Sequence, residues 1–335
     1  MIKVAINGFG RIGRLVFRIM EEDPNFDVVA INDLTDAEQL AYLLKYDTNH
    51  RNYNVDEISY DDNNIIVKGR KIRIFSELDP SNLPWKELEI DEVFECTGHF
   101  TKYEDALKHV TAGAKHVIIS APGKGDMKTV VYNVNHEILT GEEKVISAAS
   151  CTTNCLAPLA KVLEDNFGIV KGYMTTVHAY TNDQAILDVA HKKGIKARRG
   201  RAAAMNIVPS STGAAKAVGL VLPSLKGKLD GSALRVPTST GSVVDLTVEL
   251  NKNVTVSELN EVLEKNTNES LGFTMDPIVS SDIIGSTYGG VVDGLLTSIL
   301  EVDGKQLVKV VIWYDNEMGY SYQMVRTAKY LAELK

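Results

Sequence analysis

A chain of 335 residues is long enough for two domains and a large core. Its 44% hydrophobic and 24% charged residues, with both signs mixed along the chain, exclude a disordered or fibrous protein. A net charge of −8 argues against a dedicated nucleic-acid or anionic-membrane binder, while leaving room for a local basic loop. The predicted elements begin with a strand at 2–6 (IKVAI), a helix at 11–22 with Ile12, Leu15, Val16 and Ile19 at helical spacing, and a strand at 27–31 (DVVAI). Strands follow at 65–67 and 71–75, joined by KGR, then at 92–96 (EVFEC) and 116–120 (HVIIS), with a helix at 103–112 between the last two. Such alternation predicts βαβ units and a mostly parallel sheet.

After residue 150 the texture changes. A helix at 152–166 stops at Gly168, and longer strands follow at 170–179, 232–237, 242–250, 295–302 and 307–314. Only helices at 213–220 and 256–266 lie between them, which reads as α+β with antiparallel pairing. An amphipathic helix at 317–333 (Met318, Tyr322, Val325, Ala328, Leu331) ends the pattern. The fold class is therefore α/β. An N-terminal domain over 1–150 with a mostly parallel sheet is joined to a C-terminal α+β domain over 151–315 with a mostly antiparallel sheet, and the last helix could fold back onto either.

INGFGRIGR places Gly8, Gly10 and Gly13 between a predicted strand and a helix. The first glycine permits the tight turn, the second lets the backbone approach a pyrophosphate, and the third lets helix and strand pack closely. Arg11 and Ile12 open that helix, whose unpaired amides suit a dianion, and Ser120 ends the strand at 116–120; all three are candidate cofactor contacts. Asp33 follows Gly13 by twenty residues, at the end of the second strand. Its carboxylate can accept from ribose hydroxyls and repels a 2′-phosphate, so NAD is expected over NADP. The competing reading is a plain turn with a capping aspartate.

SAASCTTNCLAPL sets Cys151 at a helix start among hydroxyl residues, where the macrodipole favours thiolate. His178, in YMTTVHAYTND at a strand end, is the best candidate partner; His109 and His116 read as surface or packing residues. Cys155 reads as packing and Cys96 as strand core. Three cysteines without CxxC spacing and seven dispersed histidines predict free thiols in a reducing compartment and no metal. The opening MIKVAINGFG is not a targeting signal, and no run reaches the roughly 20 apolar residues of a membrane span, so a cytoplasmic protein is expected.

INGFGRIGR, SCTTNCLAPLAKVL, TTVHAYTNDQ, STGAAKAVGLVLP, RVPTSTGSVVDLTVEL and WYDNEMGYS, in that order, together resemble phosphorylating glyceraldehyde-3-phosphate dehydrogenases. The resemblance implies a Rossmann domain over 1–150 completed by 316–335, a catalytic domain over 151–315, and NAD-dependent oxidative phosphorylation of glyceraldehyde 3-phosphate. Cys151 is then the nucleophile that forms a hemithioacetal and a thioester, and His178 the proton acceptor. It implies a pocket for the substrate phosphate with Thr181 and Arg235, and one for inorganic phosphate with Ser150, Thr152, Thr212 and Gly213, near which Arg199 reaches. It assigns Asn316 to the nicotinamide amide, where the residues alone suggest a helix N-cap. It also implies a homotetramer, with the basic loop HKKGIKARRGRAAA near a subunit interface. With no aromatics interleaved, the loop's Lys192, Lys193, Lys196, Arg198, Arg199 and Arg201 do not read as a nucleic-acid patch.

Two departures touch the cofactor: Leu78 stands where many members have arginine, and Ala190 where NAD-specific members carry proline. The basic loop is also about one residue longer than a common bacterial form. Two rival functions fit the same residues. One is an erythrose-4-phosphate dehydrogenase that releases its product with water; the other is a binding protein that has kept the fold.

Overall fold

The computed structural model describes residues 1–192 and 194–334, and the chain divides into two compact units. Met1–Tyr132, His136–Ser150 and the segment from Ser321 onward form the first; Asn133–Asn135 and Cys151–Tyr320 form the second.

In the first unit the chain lays down β1 (Ile2–Asn7), α1 (Arg11–Glu21), β2 (Phe26–Asn32) and α2 (Ala37–Lys45). The hairpin strands β3 (Ile58–Asp61), β4 (Asn64–Val67) and β5 (Arg70–Phe75) come next, then α3 (Trp85–Leu88), β6 (Glu92–Glu95), α4 (Tyr103–Thr111), β7 (His116–Ile119), β8 (Lys128–Thr129) and β9 (Val145–Ser147). The sheet order is β3-β4-β5-β2-β1-β6-β7-β9-β8. Pairing is parallel from β5 to β8, and antiparallel only where β3 and β4 meander at one edge. All four residues of β6 are buried, as expected of a parallel strand covered on both faces. Strand order reverses between β1 and β6, and a Rossmann sheet binds its ligand at the carboxyl ends of those strands.

The second unit starts with α5 (Cys151–Phe167), whose C-terminal Gly168 takes the left-handed φ of +70° that a helix stop favours. β10 (Ile169–Ala179), β11 (Val208–Ser211), α6 (Ala214–Val221), β12 (Leu229–Val236), β13 (Ser242–Leu250), α7 (Val256–Lys265), β14 (Leu271–Thr274), β15 (Gly290–Val302) and β16 (Lys305–Tyr314) follow. They form a sheet in the order β11-β12-β10-β13-β16-β15-β14. Pairing is antiparallel except for β10 with β12 and β14 with β15. β13 alternates buried and half-buried residues along its length, so one face of this sheet is core, and α5, α6 and α7 pack on the sheet. Tyr173, Leu300 and Leu307 on its strands stay exposed. The last helix, α8 (Met318–Glu333), leads the chain back to the first unit.

Every predicted strand and helix is present, with ends moved by a few residues. No predicted element corresponds to the helices α2 and α3 or to the strands β3, β8, β9, β11 and β14. α2 had a readable signal: Asp36 caps it by accepting the Gln39 amide at 2.8 Å, in the run DAEQLAYLLK. The strands are four residues or shorter and hold too little periodicity to read.

Candidate active site

The three glycines of the first turn each do a different job. Gly8 has φ +91°, and a Cβ there would meet the Thr97 amide at 2.8 Å. A Cβ on Gly13 would sit 2.1 Å from the Gly8 carbonyl oxygen, where helix and strand pack. Gly10 has nothing within 4 Å of its Cβ position, so the protein's own packing does not require its bareness. α1 starts there without a side-chain cap or an acidic residue in its first turn, which leaves its N-terminal end suited to a dianion. Gly13→Ala is therefore expected to destabilise the fold by about 1–3 kcal/mol. Gly10→Ala should keep the melting temperature and weaken dinucleotide binding about tenfold or more, read by calorimetric titration.

Beside that turn lies a cavity of about 460 Å³ lined by Asn7, Gly10, Asp33, Leu34, Leu78 and Thr97 among others. Asp33 is aimed by its backbone bonds: one oxygen accepts the Phe9 amide at 2.7 Å and the other the Thr35 amide at 3.0 Å. Leu34 and Leu78 are exposed and give the cavity an apolar rim. The Arg11 side chain is held by Asp47 through bonds of 2.6 and 3.1 Å, so what the helix start offers a ligand at Arg11 and Ile12 is backbone. One expectation needs correction here. Cys96 stands one residue past β6 and lines the cavity rather than the strand core; Ser120 hydrogen-bonds its thiol.

In the second unit Cys151 is the first residue of α5 and His178 the penultimate residue of β10. The Cys151 Sγ lies 3.4 Å from His178 Nε2. On the far side of the ring, Nδ1 lies 2.6 Å from the Ala179 carbonyl oxygen, which can only accept. Bonded to that carbonyl, Nδ1 carries the proton and Nε2 turns its lone pair to the sulfur, while Arg235 Nη1, which can only donate, competes for the same nitrogen. Arg235 Nη1 lies 2.9 Å from Nδ1 and donates to the Ala179 carbonyl at 3.1 Å and to Thr181 Oγ1 at 3.2 Å. Arg235 Nε is buried without a partner among the described residues, an unspent donor that fits an anion. Thr181 donates to Asp183 at 2.5 Å, and Asp183 also pairs with Arg199, so the structure gathers Cys151, His178, Thr181, Arg199 and Arg235.

Ser150 immediately precedes the thiol, and Ala149 before it adopts a left-handed φ of +58°. That sharp turn, uncommon for a residue with a Cβ, swings the chain into α5. The Thr152 hydroxyl is turned inward to Tyr314 Oη at 2.9 Å, which also bonds Thr176 at 2.8 Å. The Thr152 side chain also hydrogen-bonds the Cys151 thiol, so it stands at the nucleophile as well as at Tyr314. Tyr314 and Thr176 were missed; WYDNEMGYS and TTVHAYTNDQ, which contain them, were the available signal. Thr212 accepts the Ala214 amide at 3.2 Å and Gly213 is the N-cap residue of α6, which packs on α5. Asn316 does not cap α8: Asp315 does, accepting the Glu317 and Met318 amides. Ser242 and Thr240 hold the Asn316 carbonyl oxygen, which leaves its Nδ2 as the end that donates to a ligand.

Burial pushes the Cys151 thiol up from its ordinary value, against the pull of Arg235 and of hydrogen bonds from Thr152. Burial, then the Arg235 and Arg199 charges, bring His178 down to about 3. Both shifts favour a neutral thiol facing a neutral imidazole, against the thiolate that the helix position alone suggests.

Two family models match the chain: the glyceraldehyde 3-phosphate dehydrogenase NAD binding domain over residues 2–103 and the C-terminal domain of the same enzyme over 150–316. The chain is 59% identical to a glyceraldehyde-3-phosphate dehydrogenase of Clostridium pasteurianum and 57% identical to one of Clostridium acetobutylicum, across all of this chain and 99% of each relative. A Streptococcus pyogenes enzyme of the same name is 56% identical over the same shares. The chain belongs to the glyceraldehyde-3-phosphate dehydrogenase family. Its N-terminal part is that family's NAD-binding domain, and its cofactor is NAD.

Within this family frame the basic loop is partly self-neutralised: Arg199 pairs with Asp183 and Arg201 with Asp188. Lys193 lies outside the described residues. Ala190 is exposed in the loop, and Leu78 presents no donor at the cavity rim. NAD preference therefore rests on Asp33. Replacing it with glycine removes the charge that opposes a 2′-phosphate and the acceptors that order Phe9 and Thr35. NAD use should fall, and the NADP/NAD ratio of kcat/KM should rise about tenfold or more, measured with both cofactors.

Proposed function

We propose that this chain oxidises glyceraldehyde 3-phosphate to 1,3-bisphosphoglycerate, with Cys151 as nucleophile and His178 as proton shuttle. The observation that carries the proposal is the 3.4 Å approach of Cys151 Sγ to the lone-pair side of His178, with Arg235 and Thr181 at the ring's other nitrogen. His178 takes the thiol proton as the sulfur bonds the aldehyde carbon, and returns it to the alkoxide to complete a hemithioacetal. The Cys151 backbone amide, at the start of α5, is placed to stabilise that oxyanion. NAD, when bound, supplies the hydride acceptor that turns the hemithioacetal into a thioester while His178 takes the hydroxyl proton. Inorganic phosphate then attacks the thioester carbon, the sulfur leaves, and His178 gives back its proton.

Thr181 and Arg235 would hold the substrate phosphate. Ser150, Thr152, Thr212 and Gly213 would hold the attacking one, with Arg199 supplying charge. On the cofactor side the proposed contacts are Gly8, Gly10, Arg11, Ile12, Gly13, Asp33, Ser120 and Asn316. The corresponding domains are 1–150 with 316–335, and 151–315. A homotetramer in the cytoplasm is part of the same reading. Exposed Ile186, Leu187, Ile195, Met205 and Ile207 in and beside the basic loop favour a covering subunit. Three free thiols suit a reducing compartment, and no helix among the described residues is long and apolar enough to cross a membrane.

The test omits glyceraldehyde 3-phosphate, NAD and phosphate in turn. NADH should form continuously only with all three. Continuous turnover without phosphate, together with a preference for erythrose 4-phosphate, would favour the water-releasing rival.

A further inference from the structure

Beneath the cofactor cavity of the first unit runs a buried polar chain that the reaction scheme does not use. Trp85, His109, Glu95 and Asn7 are each at most 1% exposed. The Trp85 indole N–H can only donate, and it lies 3.0 Å from His109 Nδ1. Nδ1 must therefore accept, so the ring carries its proton on Nε2, which lies 3.3 Å from Glu95 Oε2. A doubly protonated ring would leave the buried indole N–H without its acceptor. Asn7 Nδ2, itself 3.3 Å from Nε2, donates to the same Glu95 oxygen at 2.5 Å, so the carboxylate is the acceptor between two donors. Glu95 Oε1 accepts both the amide and the hydroxyl of Thr97. The chain continues from Asn7 Oδ1 to Asn32 Nδ2 at 2.7 Å, and Asn32 in turn grips the Glu77 backbone through its amide at 2.8 Å and its carbonyl at 2.9 Å.

The ends of this chain are the cavity wall. Asn7, Asn32, Glu77 and Thr97 all line it, as does Phe100, whose ring meets the His109 ring edge-on at 6.3 Å. His109 thus touches the supports of β1, β6 and the loop after β6 at once, while standing behind the wall. We infer that His109, held in its Nε2–H tautomer by Trp85, is a positioning residue for the NAD cavity: its bond to Glu95 keeps Asn7 and Thr97 in the places that cofactor binding needs. A buried network with every member satisfied fixes one arrangement, and losing one donor lets the group it held seek another. The inference rests on this cavity being the NAD site.

The test measures NAD affinity by calorimetry and steady-state constants for the purified enzyme and for His109→Phe, His109→Gln and Trp85→Phe. His109→Phe should raise the Kd and KM for NAD about tenfold, with kcat at saturating NAD and the KM for glyceraldehyde 3-phosphate within about twofold of the parent. Glutamine offers an oxygen to the indole and an N–H to Glu95 across nearly the same gap, and should restore NAD affinity to within about threefold. Long-range proton–nitrogen spectra should report His109 as the Nε2–H tautomer in the parent and a loss of that preference in Trp85→Phe. An Nδ1–H tautomer in the parent, or NAD affinity in folded His109→Phe equal to the parent's, overturns the inference. So does an equal fall in kcat and kcat/KM that glutamine does not rescue. Should His109→Phe fail to fold, Trp85→Phe decides by the same NAD titration: a raised Kd supports the inference and an unchanged one overturns it. A parent chain that binds no NAD removes the cavity reading itself, a separate result.

Discussion

Cys151→Ser is expected to lower kcat by about four orders of magnitude or more while leaving the Kd for NAD within about twofold. Serine keeps the size and the hydrogen-bonding reach of the side chain. It loses a nucleophile whose proton a neutral imidazole can take, since an alcohol holds its proton far more tightly than a thiol. Burial already pushes the thiol up, so little spare driving force exists for a still weaker acid. The decisive measurement is a single turnover without phosphate. The parent enzyme should give a burst of one NADH per chain as the thioester accumulates, and Cys151→Ser should give none. A normal burst from the serine variant would remove Cys151 from the chemistry, whatever the distance to His178.

Much of this arrangement was legible before any coordinates, for reasons that differ from residue to residue. The glycine turn was legible because its positions answer to separate steric demands: the structure shows a positive φ at Gly8 and backbone contact at Gly13, while Gly10 stands in open space. β13 and α5 announced themselves through long periodic runs. What stayed hidden depended on side-chain direction, which spacing does not encode. Nothing in SCTTN tells that Thr152 turns inward to Tyr314, 162 positions away in sequence. Nor does GRIGR tell that Arg11 reaches Asp47 instead of the cavity. The protonation states were hidden for the same reason. A helix start argues for thiolate, yet the balance is set by burial and by two arginines that reach His178 from β12 and the basic loop.

Those arginines govern the second large effect. His178, held at about 3, is neutral near neutral pH, so it stands ready as a base but is a weak one. A phosphate seated at Arg235 and Arg199 cancels the charges that depress it, and so strengthens the base when substrate is present. His178→Gln should cost about two to four orders of magnitude in kcat and change the pH profile. With His178 present the thiol passes its proton to Nε2, and kcat/KM should vary little between about pH 6 and 8. With glutamine the thiol must first lose its proton to solvent, so kcat/KM should climb about tenfold per pH unit toward the raised Cys151 ionisation. Stability moves the opposite way at low pH. The folded state holds His178 well below the ordinary 6.5, so the unfolded chain binds its proton first. The parent therefore loses stability as pH falls from 6.5 toward 3, and the melting temperature of His178→Gln should fall less steeply across that window. Parallel acid melting curves for the two proteins, or a flat kcat/KM profile for the variant, would mean that His178 neither stays neutral in its pocket nor takes the proton from Cys151.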